Sequence, residues 1–333
     1  MSRLEVRGLS KEFRAGGVVH RARLHAVDDV TFSLAPGRIT ALAGESGSGK
    51  STVARLIARL YDPTAGEVLF DGRDVSASRR RRDVLRYRSQ VQLIFQDPFG
   101  SLNPAKTVRH HLARPLRIHG LASRRDVGAR VEELLETVGL VPPAAIADKY
   151  PHELSGGQRQ RVAIARALAV EPRVVVADEP ISMLDVSIRV GILNLMRDLK
   201  DRGIAFLYVT HDLASARYVA DDIIVMYAGQ VVEQGPVDEV LASPLHPYTR
   251  LLIESVPDAQ RGLAPIEVRR GSAAAAVDPP PGCRFVDRCT IAVAVCRERT
   301  PVLVEARPAQ AARCHVTAPA PTNREDLHAE PAA

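Results

Sequence analysis

The chain has 333 residues, a formal net charge of +6 and a sequence pI of about 9.3. Hydrophobic residues make up 46% and charged residues 25%, the balance of an ordinary globular protein with room for two domains. No apolar run approaches the roughly 18 residues of a membrane span, and Met1-Ser2-Arg3-Leu4-Glu5-Val6 has no signal-peptide apolar segment. A cytoplasmic protein that meets any membrane through a partner is therefore expected, and the basic balance permits anionic partners without choosing among them.

Residues 4–9 alternate like an edge strand, Phe13 follows, and residues 14–25 read as a basic, glycine-bearing loop before a second alternating strand at 27–34. Pro36-Gly37 is a turn. Residues 38–43 form a short β-prone run, and residues 53–60 are apolar at helical spacing. Between them Gly44-Glu45-Ser46-Gly47-Ser48-Gly49-Lys50-Ser51-Thr52 fits G-x-x-x-x-G-K-[ST]. Strand, glycine loop and helix are what phosphate binding needs: backbone N–H groups wrap the anion, and the helix N-terminus adds partial positive charge. Lys50 is placed to reach β- and γ-phosphates, and the Ser51 hydroxyl to ligate Mg²⁺.

Residues 67–70 make another strand, and Arg79-Arg80-Arg81-Arg82 reads as a solvated segment before a helix. A strand at 91–95 ends at Gln96-Asp97-Pro98, and residues 107–141 are mostly helical. Leu154-Ser155-Gly156-Gly157-Gln158 opens a helix running through Leu168. The apolar run 173–177 ends in Asp178-Glu179-Pro180, a helix covers 186–200, and the strand 205–210 ends at His211-Asp212. Residues 222–226 and 230–233 make a hairpin, and 236–252 are helical with a break at Pro244. Strands alternating with helices imply the α/β class, with a mostly parallel, covered sheet. Residues 254–282, rich in Ala, Gly and Pro, read as a linker, 283–316 hold all 4 cysteines, and 318–333 read as a disordered tail.

Hydrolysis asks for more than a phosphate loop. Asp178 ends its strand where it can reach an ion held by Ser51, and Glu179 beside it can act as general base on water. Gln96 and His211 end two further strands, at the edge where parallel sheets place ligands. Two glycines after Ser155, at a helix start, make a second anion-binding end that is redundant unless it faces another subunit's ATP.

This ordered set resembles the ATP-binding cassette (ABC) family over residues 1–250. The resemblance implies a RecA-like parallel core with an antiparallel β subdomain and a helical signature subdomain at about 97–170, within an ATPase domain spanning 1–253. It implies that Phe13 stacks on adenine and that Gly44, Ser46, Gly47, Ser48, Gly49, Lys50, Ser51 and Thr52 bind ATP. Ser51, Gln96 and Asp178 would hold Mg²⁺, Glu179 would polarise water, Gln96 would link the ion and water to a membrane partner, and His211 would clamp the γ-phosphate. Leu154, Ser155, Gly156, Gly157, Gln158 and Asp185 would face the ATP of a second cassette.

Leu245-His246-Pro247-Tyr248-Thr249 and the cysteines Cys283, Cys289, Cys296 and Cys314, spaced C-x5-C-x6-C-x17-C, look like the C-terminal extension of dipeptide/oligopeptide importer ATPases, here residues 254–317. Four thiolates suit Zn²⁺ or a [4Fe–4S] cluster. The subfamily favours the cluster, with zinc second and unligated thiols third. The expected protein is the ATPase subunit of a bacterial ABC importer at the cytoplasmic face of the membrane. Its expected partners are a homologous second ATPase, two permease subunits docking near residues 98–104 and an extracytoplasmic binding protein. Oligosaccharide or nickel cargo is the alternative within the subfamily. A soluble cassette working on nucleic acid or ribosomes is disfavoured, because no second cassette, inserted zinc module or coiled coil is evident.

Overall fold

A computed structural model describes residues 4–15, 22–76, 80–255, 277–279 and 281–319. Most of the expected linker and tail therefore lies outside the described residues. In chain order, β1 (Leu4–Ala15), β2 (Ala22–Leu34) and β3 (Ile39–Ala43) lead to α1 (Lys50–Ile57). Next come β4 (Ala65–Phe70), β5 (Arg73–Asp74), α2 (Arg81–Gln90) and β6 (Val91–Ile94). The helices α3 (Pro98–Ser101), α4 (Val108–Ile118), α5 (Val127–Thr137), α6 (Pro143–Ala147) and α7 (Gly156–Leu168) precede β7 (Val174–Asp178). Then follow α8 (Val186–Asp201), β8 (Ala205–Thr210), α9 (Leu213–Val219), β9 (Asp222–Tyr227) and β10 (Gln230–Pro236). The last elements are α10 (Val237–Ala242), α11 (Pro247–Glu254), α12 (Val295–Glu298), β11 (Val304–Arg307) and β12 (Gln310–Ala312).

Two sheets form among the described residues, a four-stranded one ordered β2-β1-β4-β5 and an eight-stranded one ordered β11-β12-β10-β9-β3-β8-β7-β6. The first is antiparallel. In it β1 pairs with β2 out to Ala15↔Ala22, so residues 14–15 and 22–25, expected in a loop, belong to strands. In the second, β6, β7, β8, β3 and β9 run parallel. Every residue of β3, β7 and β8 is buried, which explains their near-continuous apolar sequences: a parallel sheet covered on both faces has no polar side.

Successive side chains of these strands point to opposite faces. Ile39, Ala41, Ala43, Val175, Ala177, Phe206 and Tyr208 join one core with residues of α4, α5, α7, α8 and α9. Leu42, Val174, Val176, Leu207 and Val209 join the other with α1 and the antiparallel sheet. Fully burying each of the valines, leucines and Ile39 among them contributes about 1.5–3 kcal/mol, so packing on both faces holds the central strands whose carboxyl ends carry the chemistry.

Candidate functional site

The phosphate-loop sequence leaves β3 and enters α1. Gly44 has φ of 148°, and a Cβ there would lie 2.3 Å from the Met226 carbonyl oxygen; at Gly49, with φ of 105°, it would lie 2.2 Å from that of Ala26. Only glycine lets the loop seat this closely on the backbones of β9 and β2. Lys50 is 4% exposed. Its ammonium donates to the carbonyls of Gly44 at 2.6 Å and Glu45 at 2.8 Å, inside the loop's own curve. Burial lowers its pKa, and the carboxylates of Glu179, Asp178 and Glu45 oppose that shift.

The neighbouring strand ends gather the other residues. Ser51 donates its hydroxyl to Asp178 Oδ1 at 3.1 Å, so the two groups expected to share an ion already touch. Burial raises the Asp178 pKa, and the Ser51 hydrogen bond pulls it back. Glu179 stands just past β7 with φ of 46°, a left-handed conformation that costs a non-glycine residue about 1–3 kcal/mol. That turn directs the carboxylate between two groups: Gln96 Nε2 donates to Oε2 at 2.9 Å, and His211 Nδ1 lies 3.2 Å from Oε1. An amide offers both a donor and an acceptor; with its donor on Glu179, the Gln96 oxygen is the end that can take an ion. Register makes this possible, since Ala43 pairs with Thr210, Asp178 with Val209 and Ile94 with Ala177. Four parallel strands thus deliver the phosphate loop, Asp178-Glu179, His211 and Gln96 to one edge.

The second glycine-rich stretch starts α7. Ser155 caps it: the Gln158 N–H donates to Ser155 Oγ at 3.2 Å, and the Ser155 N–H donates to Gln158 Oε1 at 3.0 Å, a reciprocal capping box. Leu154 is buried, while Ser155 is exposed at the helix tip. Gly157 lets α7 close on α8, for a Cβ there would lie 2.6 Å from Ile188 Cγ2. Asp185 is exposed at the N-cap of α8, without a side-chain capping bond. Phe13 lies on β1, edge-on to Tyr61 at 5.5 Å between centroids and 5.3 Å from the Lys11 ammonium.

Comparison with known proteins agrees with this arrangement. A family model described as ABC transporter matches residues 27–182, and one described as the oligopeptide/dipeptide transporter C-terminal region matches 232–296. The oligopeptide transport ATP-binding protein AppF of Bacillus subtilis is 42% identical over 94% of this chain and 97% of its own length. The chain belongs to the ABC transporter ATPase family. OppF of the same organism is 49% identical over 76% of this chain and 82% of its own. Among solved structures, the dimeric ATP-binding cassette MJ0796 bound to ADP and Pi is 30% identical, with a TM-score of 0.63 over 70% of this chain and 98% of that one. ATP and Mg²⁺ are the cofactors this family membership carries, and hydrolysis of ATP coupled to transport is its activity.

Two contacts of this cassette escaped the sequence reading. The Glu45 N–H donates to the Tyr248 hydroxyl at 2.8 Å. Arg288 grips both Glu45 carboxylate oxygens at 2.9 Å each. The only sequence signal is that Tyr248 belongs to the His246-Pro247-Tyr248 run and that Arg288 adjoins a cysteine.

The cysteine corner differs from expectation. All four thiols are free, with Cys296 and Cys314 buried and Cys283 and Cys289 half-buried. Burial pushes Cys283 up to about 11, and the other three cysteines push in the same direction, so the four share one neighbourhood. Yet among the described residues no three His, Cys, Asp or Glu side chains are gathered closely enough to hold a metal ion. The donor chemistry suits a cluster or zinc, but the thiols as placed are not a formed site, and the expected [4Fe–4S] cluster finds no support in their positions. No described helix is long and apolar enough to cross a membrane.

Proposed function

We propose that this chain is the ATP-hydrolysing subunit of a bacterial ABC importer that takes up di- or oligopeptides through membrane permease subunits. The observation that carries the catalytic part is Glu179, turned by its left-handed backbone to sit between Gln96 and His211 and beside the Ser51–Asp178 pair. The phosphate-loop N–H groups and Lys50 bind the β- and γ-phosphates. Ser51, Asp178 and Gln96 would hold Mg²⁺, which would offset charge on the phosphates. Glu179 accepts the proton of the attacking water, and His211 keeps Glu179 oriented and closes on the γ-phosphate. Phe13 takes the adenine. Leu154, Ser155, Gly156, Gly157, Gln158 and Asp185 face the ATP of a second cassette, a homologous subunit, so each site is completed from across the pair.

Peptide cargo is supported by the match at 232–296 and by the names of the relatives. The same reading places the subunit peripherally on the cytoplasmic face, with two permeases and an extracytoplasmic binding protein as partners. On the likeness of their spacing to the importer extension alone, and against the placement of the thiols, which are not gathered into a site, the four cysteines are proposed to ligate a [4Fe–4S] cluster, with Zn²⁺ as the runner-up, and no step of ATP hydrolysis depends on it. Iron and zinc content of anaerobically purified protein decides between the two, and neither metal present would withdraw the ligation.

The test of the hydrolytic reading is Glu179→Gln. Loss of a general base lowers turnover by about 10²–10⁴-fold, with MgATP affinity retained. Turnover within a few-fold of the native protein would move the base elsewhere. For the cargo, disruption of the gene should abolish growth on a di- or oligopeptide as sole source of a required amino acid; unchanged peptide uptake would overturn the substrate class.

A further inference from the structure

Glu45 is the second residue of the phosphate loop, and each of its polar groups is engaged. Its carbonyl accepts from Lys50 Nζ at 2.8 Å and its N–H donates to the Tyr248 hydroxyl at 2.8 Å. Its carboxylate takes two parallel hydrogen bonds from Arg288 at 2.9 Å. Two of these three contacts come from beyond residue 245. The Arg288 side chain is 8% exposed, against 43% for Glu45. Its guanidinium carbon lies 5.7 Å from the ring centres of both Tyr227 and Phe285. A desolvated, stacked, bidentate guanidinium is the strong form of this interaction, unlike an exposed surface pair.

Arg288 also belongs to a pattern. Each cysteine has an arginine beside it: Arg284, Arg288, Arg297 and Arg313. Three of the four reach out to the cassette. Arg284 binds the Asp28 carboxylate and the Ala228 carbonyl. Arg313 Nε donates to the Val231 carbonyl at 3.0 Å, and its Nη2 lies 3.6 Å from Asp29 Oδ2. Arg297 instead pairs locally with Asp287 at 3.0 Å. The cysteine corner is thus fastened along the β2 and β9–β10 side of the cassette, and among these four arginines Arg288 is the fastener that reaches the phosphate loop.

A carboxylate in a loop built to hold a polyphosphate is an electrostatic conflict. It repels the ligand and attracts the ammonium of Lys50, on which Glu45 already acts. We propose that Arg288 is a positioning residue of the ATP site: it neutralises Glu45 and, with Tyr248, holds the start of the phosphate loop, so the C-terminal extension sets the loop's affinity for MgATP. This rests on the ATPase reading, deepens it, and assigns Arg288 no contact with nucleotide.

The test is MgATP binding by calorimetry on the full chain, with steady-state ATPase and melting temperature recorded beside it. Arg288→Met keeps aliphatic packing between Tyr227 and Phe285 but removes the charge, so it is the primary variant; Arg288→Ala and Arg288→Lys flank it. Arg288→Met should weaken MgATP binding by about five-fold or more, the lower end of typical coupling between sites. KM should rise while kcat stays close to native. Adding Glu45→Gln to Arg288→Met should restore the affinity, because the uncompensated carboxylate is then gone, and Arg288→Lys should be milder. Native affinity in Arg288→Met, or a double variant as weak as the single, would overturn the proposal, since a purely structural role for Arg288 is not repaired by neutralising Glu45. Failure of the native chain to bind MgATP would instead count against the ATPase reading.

Discussion

At Gly49 the absent Cβ decides whether the loop can exist. The Ala26 carbonyl oxygen would stand 2.2 Å from it at φ of 105°, and that neighbour is backbone of β2, not a side chain able to swing away. Gly49→Ala must therefore displace either the strand or the loop, with a strain of about 1–3 kcal/mol. Because about 1.4 kcal/mol is tenfold in an equilibrium, MgATP affinity should fall by about five-fold or more with the far-ultraviolet circular dichroism unchanged. Native affinity in titration calorimetry would mean the loop relaxes freely. The motif marks Gly49 in the sequence, because spacing alone identifies the loop. Sequence does not show that Glu179 adopts a left-handed backbone at φ of 46°, since a strand-end glutamate carries no such sign. Nor does it show that Gln96 and His211 meet on the two oxygens of one carboxylate: that meeting depends on strand order, which no local pattern encodes.

The His246-Pro247-Tyr248 run, which in sequence is only a likeness, acts in the structure as the start of α11. His246 Nδ1 accepts the Tyr248 N–H at 3.0 Å, and Pro247 occupies the first turn, where a missing N–H costs nothing. Burial holds the His246 pKa down to about 3. The folded state thus keeps the imidazole neutral, while the unfolded chain binds a proton below about 6.5. The contribution to stability is complete above that value and is lost as pH falls from about 6.5 towards 3. The melting temperature should drop across this window, and His246→Asn, whose amide oxygen can replace Nδ1 as acceptor, should flatten the profile. An identical profile for the variant would assign the acid sensitivity to other groups.

Glu233, fully buried on β10, accepts the Leu245 N–H at 2.7 Å, the His246 N–H at 2.9 Å and Gln310 Nε2 at 2.8 Å. Each buried donor left unpaired costs about 1–3 kcal/mol, so Glu233→Ala should destabilise by about 3 kcal/mol or more in urea unfolding; less than 1 kcal/mol would mean that water enters and replaces the carboxylate. This knot also explains what the sequence hid. β12 is three residues long, Gln310–Ala312, and pairs with β10, while β5 has only two residues. Such strands are too short for alternation to register, and they are strands only because a partner edge is present. The apolar strands Val174–Asp178 and Ala205–Thr210 are legible because burial on both faces writes itself into nearly every residue, and only the expected start at Arg173, which is exposed, falls outside.

Across the whole molecule, the phosphate loop and the Leu154–Gln158 stretch start different helices, α1 and α7, whose cores share the central sheet. One ends β3 at the parallel edge, while the other caps α7, a helix packed in a core with α4, α5 and α8. The Ser155 tip is exposed beside an open cleft of about 370 Å³ lined by Ser155, Gly157, Gln158 and Ser187. Capping already engages the Ser155 hydroxyl and the Gln158 N–H, so the remaining first-turn N–H groups and the positive end of the helix dipole are what this tip offers an anion. Under the proposed function, the γ-phosphate bound by a second cassette is that anion. With the chain at 36.2 kDa, the Glu179→Gln variant plus MgATP, alone or mixed with the second ATPase subunit the proposed function calls for, should elute at about twice that mass in light-scattering chromatography. It should return to the monomer when EDTA removes Mg²⁺. Adding Ser155→Arg should keep the protein monomeric without weakening MgATP binding, because the arginine blocks only the face presented to the other subunit. If Ser155→Arg instead weakened MgATP binding to the isolated chain, the Leu154–Gln158 stretch would be acting on its own phosphate loop, and the proposed completion of each site from across the pair would have to be abandoned.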